Sequence, residues 1–272
     1  MIVIENKNKV SDIIGRVLLA SNIEVVGWDS SVVPLYRMLE DKKPDLLIYG
    51  QEAHMNGSEY IKQRFPNLVL VYVGDDPAGK VEPDLVIGKS STRKCVGLPE
   101  SLYDITGLPS GTKKPSMSCK MCCFTDSIDQ DMAKSISDII LDLFERKTRF
   151  FGRIKLDAHQ YLGIVSEQER VDIISSADIY VDLTANYWHK SVMLGTTPIV
   201  LTGKHIPGIN TFTDKESLEK AIAATSEGSY DISIAREQVV KNTGFDFCAN
   251  IFSAIGAEEA RGSVLQFKEK FI

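Results

Sequence analysis

Phe150-Phe151-Gly152-Arg153, Tyr161-Leu162-Gly163, the stretch Glu167 to Ser176, Ala177-Asp178-Ile179-Tyr180-Val181-Asp182 and Gly195-Thr196-Thr197-Pro198-Ile199-Val200 follow one another in the second half of the chain. Short apolar runs that alternate with amphipathic stretches describe strand-helix-strand units. Strands joined by such crossovers run parallel, and helices must cover both faces of their sheet. Ligands of these sheets sit at the carboxyl ends of the strands. The segments after Phe151, Leu162, Leu183 and Leu201 are therefore expected to share one rim.

The first half repeats this grammar. Ile2-Val3-Ile4, Glu24-Val25-Val26-Gly27, Asp45-Leu46-Leu47-Ile48-Tyr49, Leu68-Val69-Leu70-Val71-Tyr72-Val73 and Asp84-Leu85-Val86-Ile87 read as strands. Helical stretches, Val10 to Ala20, Val33 to Lys42 and Ser58 to Phe65, lie between the first four. From Lys89 to Lys120 the chain turns rich in Ser, Gly, Pro and Lys, the composition of a linker. The expected organisation is an N-terminal unit over 1–98, a linker over 99–118 and a C-terminal unit over 119–272. Within the last, Ile232 to Ile255 is helical by pattern, with a break or kink suggested at Gly244.

Composition bounds the function. The 272 residues carry 37 acidic and 31 basic side chains, a net charge of -6, so there is no global nucleic-acid signal. No run approaches the roughly 20 apolar residues of a membrane helix, and no basic-then-apolar leader precedes Met1-Ile2-Val3-Ile4, so a soluble, cytoplasmic protein is expected. Cys95, Cys119, Cys122, Cys123 and Cys248 are read as free thiols. Cys119-Lys120-Met121-Cys122 has zinc-like spacing, but no second pair lies at a suitable distance and Met121-Cys122-Cys123-Phe124 reads as a buried strand, so no metal is expected.

From Met121 to Ala224 the order of these pieces resembles the donor-binding half of GT-B glycosyltransferases. In that family a strand ending in Phe-x-Gly, a short strand ending in Leu-Gly, a helix, an Ala-Asp-Ile strand and a Gly-Thr-Pro-like strand form the sugar-nucleotide pocket. With the first half included, the resemblance implies an α/β fold of two Rossmann-like, doubly wound domains facing a central cleft, with a terminal helix that packs back across it. It also implies a nucleotide-diphosphate sugar, UDP-sugar first, as co-substrate with no required cofactor. Two departures stand out. The two Glu residues that many retaining members separate by seven fall, counted from Gly195, on Asp182 and Lys190, and the Gly-Arg and Lys pair after the first donor-domain strand is replaced by Thr125-Asp126-Ser127.

Charge for the diphosphate must then come from elsewhere. Arg153 and Lys155 lie just past Gly152, and Lys190 and Ser191 open the stretch Trp188 to Leu194, a helix whose first amides would face an anion. Arg153 and Lys190 are the first expected phosphate ligands and Lys155 the next. Tyr187 and Trp188 are expected as pocket walls, with His189 beside them and Gly152, Thr125 and Ser127 completing the donor side. An inverting transfer also needs a group in the first domain to take the acceptor proton. Glu52 and His54 after the third strand, and Asp75 and Asp76 after the fourth, are the candidates, Glu52 and Asp75 foremost.

The acceptor is less legible. Phe150-Phe151-Gly152 and Tyr187-Trp188-His189-Lys190 are similar in position to features of the phage DNA glucosyltransferases, whose acceptor is hydroxymethylated duplex DNA. Basic clusters at Arg93-Lys94, Lys113-Lys114, Lys120 and Arg146-Lys147 to Arg153 make such DNA the leading specific acceptor, ahead of a saccharide, lipid or small molecule. A different class is also in view. Lys43-Pro44-Asp45-Leu46-Leu47 with His54-Met55-Asn56-Gly57-Ser58-Glu59 resembles the middle of a receiver domain, but Glu5-Asn6-Lys7 offers no acidic pair and Gly50 stands where a phosphoacceptor Asp is needed.

Overall fold

The apolar runs of the first half become β1 (Ile2–Glu5), β2 (Val25–Trp28), β3 (Leu46–Tyr49), β4 (Val69–Val73), β5 (Leu85–Ile87) and a two-residue β6 (Cys95–Val96). They form one parallel sheet in the order β2-β1-β3-β4-β5-β6. This computed structural model describes residues 1–5, 8–29, 33–50, 61–75, 82–90, 93–99, 101–109, 119–126, 129–144, 147–156, 158, 160–227 and 231–272. Parallel neighbours require crossovers, and α1 (Lys9–Ala20), α2 (Leu35–Lys42) and α3 (Ile61–Arg64) lie in those connections. Asn8 starts α1 by accepting the Ser11 amide at 2.8 Å, and the helix buries Ile13, Ile14, Val17 and Leu18. Leu35, Met38, Leu39 and Ile61 pack against Val3, Leu47, Tyr49 and Leu70 on one sheet face.

The second half gives β7 (Cys119–Phe124), α4 (Gln130–Phe144), β8 (Thr148–Phe151), α5 (Glu167–Ser175), β9 (Ala177–Asp182), α6 (Trp188–Met193), β10 (Thr197–Leu201), β11 (Asn210–Phe212), α7 (Lys215–Ser226) and α8 (Ser233–Lys241). Its sheet, again all parallel, runs β11-β10-β9-β7-β8. The expected short strand ending in Leu162-Gly163 is a single parallel bridge from Tyr161 to Phe150. Period-two alternation sends Met121, Cys123, Ile179 and Val181 to one face, where Ile136, Ile140, Leu218 and Ile222 of α4 and α7 complete the core. Cys122, Phe124, Tyr180 and Asp182 take the other face. The same rule separates Cys119 from Cys122, which stand three apart on β7 and so point to opposite faces. Burial pushes the thiols of Cys119, Cys122 and Cys123 up.

By the contacts within it, the chain divides into one unit of Met1–Thr106 with Asn242–Lys270 and another of Gly107–Lys241 with Phe271–Ile272. This differs from the sequence reading in two places. Part of the stretch read as linker is packed: the Tyr103 amide donates to Asn242 O at 2.9 Å, the Gly244 amide donates to Tyr103 O at 2.9 Å, and Ile105 is fully buried. Asn242–Lys270, assigned above to the second unit, joins the first as α9 (Gly244–Ile255) and α10 (Glu258–Lys268). The cause is the apolar face of α9, which buries Phe245, Phe247, Cys248, Ile251 and Phe252 and lies on α1 and β5. Thr243 ends the preceding helical pattern by capping α9, its hydroxyl accepting the Asp246 amide at 3.3 Å.

Gly244 is required for that packing, because a Cβ there would stand 2.8 Å from Ile13 Cγ2 and 2.9 Å from Val17 Cγ2. Gly244→Ala is expected to destabilise the first unit by about 1–3 kcal/mol through overpacking. The reading is a lower urea midpoint with an unchanged slope; an unshifted midpoint would mean that α9 moves off α1 at no cost.

Candidate active site

In the second sheet the chain leaves β7 for β8 on one side and reaches β9 on the other, so strand order reverses between β7 and β9. Open α/β sheets hold ligands outside the carboxyl ends of the strands at such a reversal. Phe124 and Asp182 are those ends, paired with each other in the ladder.

Asp182 is fully buried, and its carboxylate organises the turn that follows. Oδ1 accepts from the Thr184 amide at 3.0 Å and the Thr184 hydroxyl at 2.9 Å, and Oδ2 accepts from the amides of Tyr187 at 2.8 Å and Trp188 at 2.9 Å. Burial raises its pKa against the lowering effect of those four donors. Two of the amides expected to face an anion, those of the cap Tyr187 and of Trp188, thus serve an internal carboxylate instead.

The turn sets Tyr187 and Lys190 beside Phe124 at the end of β7 and Arg170 of α5, so that two aromatic and two cationic groups meet in one place. Phe124 and Tyr187 meet edge to face with centroids 5.7 Å apart. The Arg170 guanidinium, from α5, lies over both rings, 4.6 Å from the Phe124 centroid and 4.3 Å from that of Tyr187. Lys190 Nζ stands 5.7 Å from the Tyr187 centroid. It donates to Glu167 Oε1 at 2.7 Å, while Arg170 Nη1 is 3.6 Å from Glu167 Oε2. Lys190 and Arg170 expose only 8% and 16% of their side chains, against 49% for Glu167. Arg170 Nε is buried and has no hydrogen-bond partner among the described residues. Ion pairs in full solvent contribute little; cations this deep are costly to leave unmatched.

The other expected donor-side residues divide sharply. Arg153 is 83% exposed, with Nε 3.9 Å from Asp126 Oδ2, and Lys155 is exposed. Both are on the rim, without the burial that distinguishes Arg170 and Lys190. Ser191 is fully buried and its hydroxyl donates to Trp188 O at 2.7 Å. Thr125 is fully buried as well, its amide bonding Phe151 O at 2.8 Å and its hydroxyl lying 3.0 Å from Ile154 O, so it ties β7 to β8. Ser191 and Thr125 therefore have structural partners and no surface for a ligand. Gly152, at φ +135°, is needed because a Cβ would fall 2.7 Å from Asp126 Oδ1. Trp188 is buried, with His189 edge-on to it at 6.1 Å. Ser127 lies outside the described residues.

Of the proton-acceptor candidates, Glu52, His54 and Asp76 also lie outside the described residues. Asp75 is at the carboxyl end of β4, exposed, with Oδ1 3.3 Å from the Lys89 amide. The first sheet reverses order between β1 and β3, and there the structure presents a group the sequence reading passed over. Glu5 ends β1 almost completely buried and accepts the Gly50 amide at 2.9 Å. A cavity of about 740 Å³ in the same unit, lined by Met1, Asp45, Leu46, Val69 and the start of α10, lies instead at the amino ends of the strands, the edge such sheets do not use for ligands.

No protein-family model and no curated protein sequence matches the chain. Solved structures do. A protein from Listeria monocytogenes assigned as a UDP-N-acetylglucosamine 2-epimerase aligns with a TM-score of 0.57 at 11% identity, covering 94% of this chain and 96% of that one. A UDP-N-acetylglucosamine 2-epimerase aligns at 0.56 and 10% identity, covering 94% and 96%. Anabaena Alr3699/HepE, in complex with UDP and glucose, aligns at 0.52 and 11%, covering 94% and 99%. At such identities the likeness shows the fold: two parallel-sheet α/β domains of the GT-B kind.

Asp182→Asn keeps the shape but turns one acceptor into a donor facing an amide. It is expected to cost about 1–3 kcal/mol, the penalty of a buried unsatisfied polar group. Chemical denaturation followed by tryptophan fluorescence would register it; unchanged stability would contradict the role given to this carboxylate.

Proposed function

We propose that the chain is a nucleotide-sugar enzyme that binds a UDP-sugar in its second unit and transfers the sugar to a hydroxyl acceptor. The observation that carries this reading is the pair of buried cations, Arg170 and Lys190, set beside Phe124 and Tyr187 at the strand-order reversal. A departing diphosphate gathers negative charge as the glycosidic bond breaks. Donors already fixed at that spot lower the barrier because they need no reorganisation. Arg170 thus takes the role that sequence reading gave to Arg153, which stands as an outer contact with Lys155. Asp75 and Glu5 are proposed proton acceptors in the first unit, together with Glu52, His54 and Asp76. The Anabaena protein's complex with UDP and glucose supports UDP as the nucleotide.

A second reading is favoured by the two neighbours assigned as 2-epimerases. Here a UDP-sugar occupies the same site and the sugar is altered rather than transferred. Duplex DNA as acceptor is not supported by the structural neighbours, which are UDP-sugar proteins; of the basic clusters, Lys113, Lys114 and Arg146 lie outside the described residues, and Lys120 Nζ is 3.5 Å from Asp178. The receiver-like alternative lacks a phosphoacceptor, Gly50 standing at the end of β3 with its amide on Glu5. Among the described residues no helix is long and apolar enough to cross a membrane.

A panel of UDP-sugars is expected to stabilise the protein in a thermal-shift assay, by about 2.7 kcal/mol at 100 times the dissociation constant. Arg170→Ala and Lys190→Ala should each weaken donor binding by about 1.5–3 kcal/mol, as for hydrogen bonds to charged groups. No shift with any UDP-sugar would refute the reading. Incubation with UDP-sugar alone separates the two chemistries, since epimerisation changes the sugar without an acceptor and transfer does not.

A further inference from the structure

We propose that Glu167 is a displaceable counter-ion of the donor site, competing with the ligand's diphosphate for Lys190 and Arg170. The inference rests on the donor site proposed above. Its basis is an asymmetry within one cluster. The two cations are fixed: Lys190 by the buried first turn of α6, Arg170 by the rings on which it lies. The carboxylate is not fixed in the same way. Glu167 is the first residue of α5, half its side chain faces solvent, and its two oxygens reach the cations unequally, at 2.7 Å from Lys190 Nζ and 3.6 Å from Arg170 Nη1.

Charge supplies the direction of exchange. Two cations share one carboxylate within pairing distance, Asp182 being taken up by backbone amides and Thr184, and the buried Arg170 Nε is a donor without a hydrogen-bond acceptor among the described residues. A diphosphate brings about two negative charges and more acceptor oxygens, and so matches the pair better. Once released, Glu167 rotates into water while remaining in the first turn of α5, where a negative charge is favoured by the helix dipole. The position is notable in another way. Lys190 stands where the spacing from Gly195 puts a Glu in many GT-B members, so at that place α6 carries a cation.

Isothermal titration of the full chain and of Glu167→Gln with inorganic pyrophosphate, UDP and uridine tests this. Removal of the competing charge is expected to tighten pyrophosphate and UDP by about 10-fold, 1.4 kcal/mol, and to leave uridine unchanged. Glu167→Asp, which keeps the charge but shortens its reach, should fall between the two and covers the case in which Glu167→Gln folds poorly. Weaker UDP and uridine binding with unchanged pyrophosphate would instead make Glu167 a contact of the ribose and overturn the inference. So would a variant less stable than the parent but with the same affinities, the mark of an ordinary structural ion pair. If the parent binds UDP and neither variant binds it more tightly, the counter-ion role fails and the donor site stands. If parent and variants all fail to bind UDP and pyrophosphate, both readings fall.

Discussion

The carboxylate of Asp182, shut away at the end of β9, is the acceptor that makes a turn possible between that strand and α6. Backbone amides buried there without a partner would cost more than the segment between them could return. Because the carboxylate takes the amides of Tyr187 and Trp188, the chain reverses within a few residues. Tyr187 then faces Phe124, and Lys190 follows on the inner side of the short helix. Everything that gives this edge of the sheet its chemistry is downstream of that constraint. Arg170 arrives from a separate helix but is seated by the same two rings.

How much of this was visible in the residues differs from element to element. β7, β9 and β10 were legible because their apolar runs are short and bounded by turn residues, those of β9 and β10 being rich in β-branched residues as well. The rim followed from parallelism alone, since strands that run the same way end on the same edge. The destination of the last helices was not legible. Periodicity marks α9 as amphipathic but does not say which sheet its Phe-rich face will meet; the missing Cβ of Gly244 is what lets that face lie close on Ile13 and Val17. The segment near Tyr103 misled through composition: Pro and Gly mark turns, and turns that pack on other backbone look like linker.

The site shows the same division. Lys190 is proposed from its place at the opening of the Trp188–Leu194 stretch, and in the structure it is buried and paired with Glu167. Arg153 was chosen for its place next to Gly152, yet proximity in sequence to a rim glycine leaves a long side chain free to point to water. Arg170, the cation proposed to act beside Lys190, escapes a sequence reading because it sits within a helix, where a cation reads as the solvated face. The signal was there in the spacing. Arg170 lies four residues before Ile174 and next to Val171, both buried, so it belongs to the border of the face that meets the sheet. Glu5 was overlooked for a related reason: it closes an apolar run and reads as the first residue of a loop, whereas the structure makes it the last residue of the strand.

The central claim is that the reversal between β7 and β9 holds the diphosphate of a nucleotide sugar. A co-crystal structure with UDP addresses it directly. The account predicts phosphate oxygens within about 2.7–3.2 Å of Arg170 and Lys190, with the Glu167 carboxylate turned away from both. UDP bound in the first unit, or in the second unit with its phosphates on Arg153 and Lys155 alone and the Glu167 pairs intact, would contradict it.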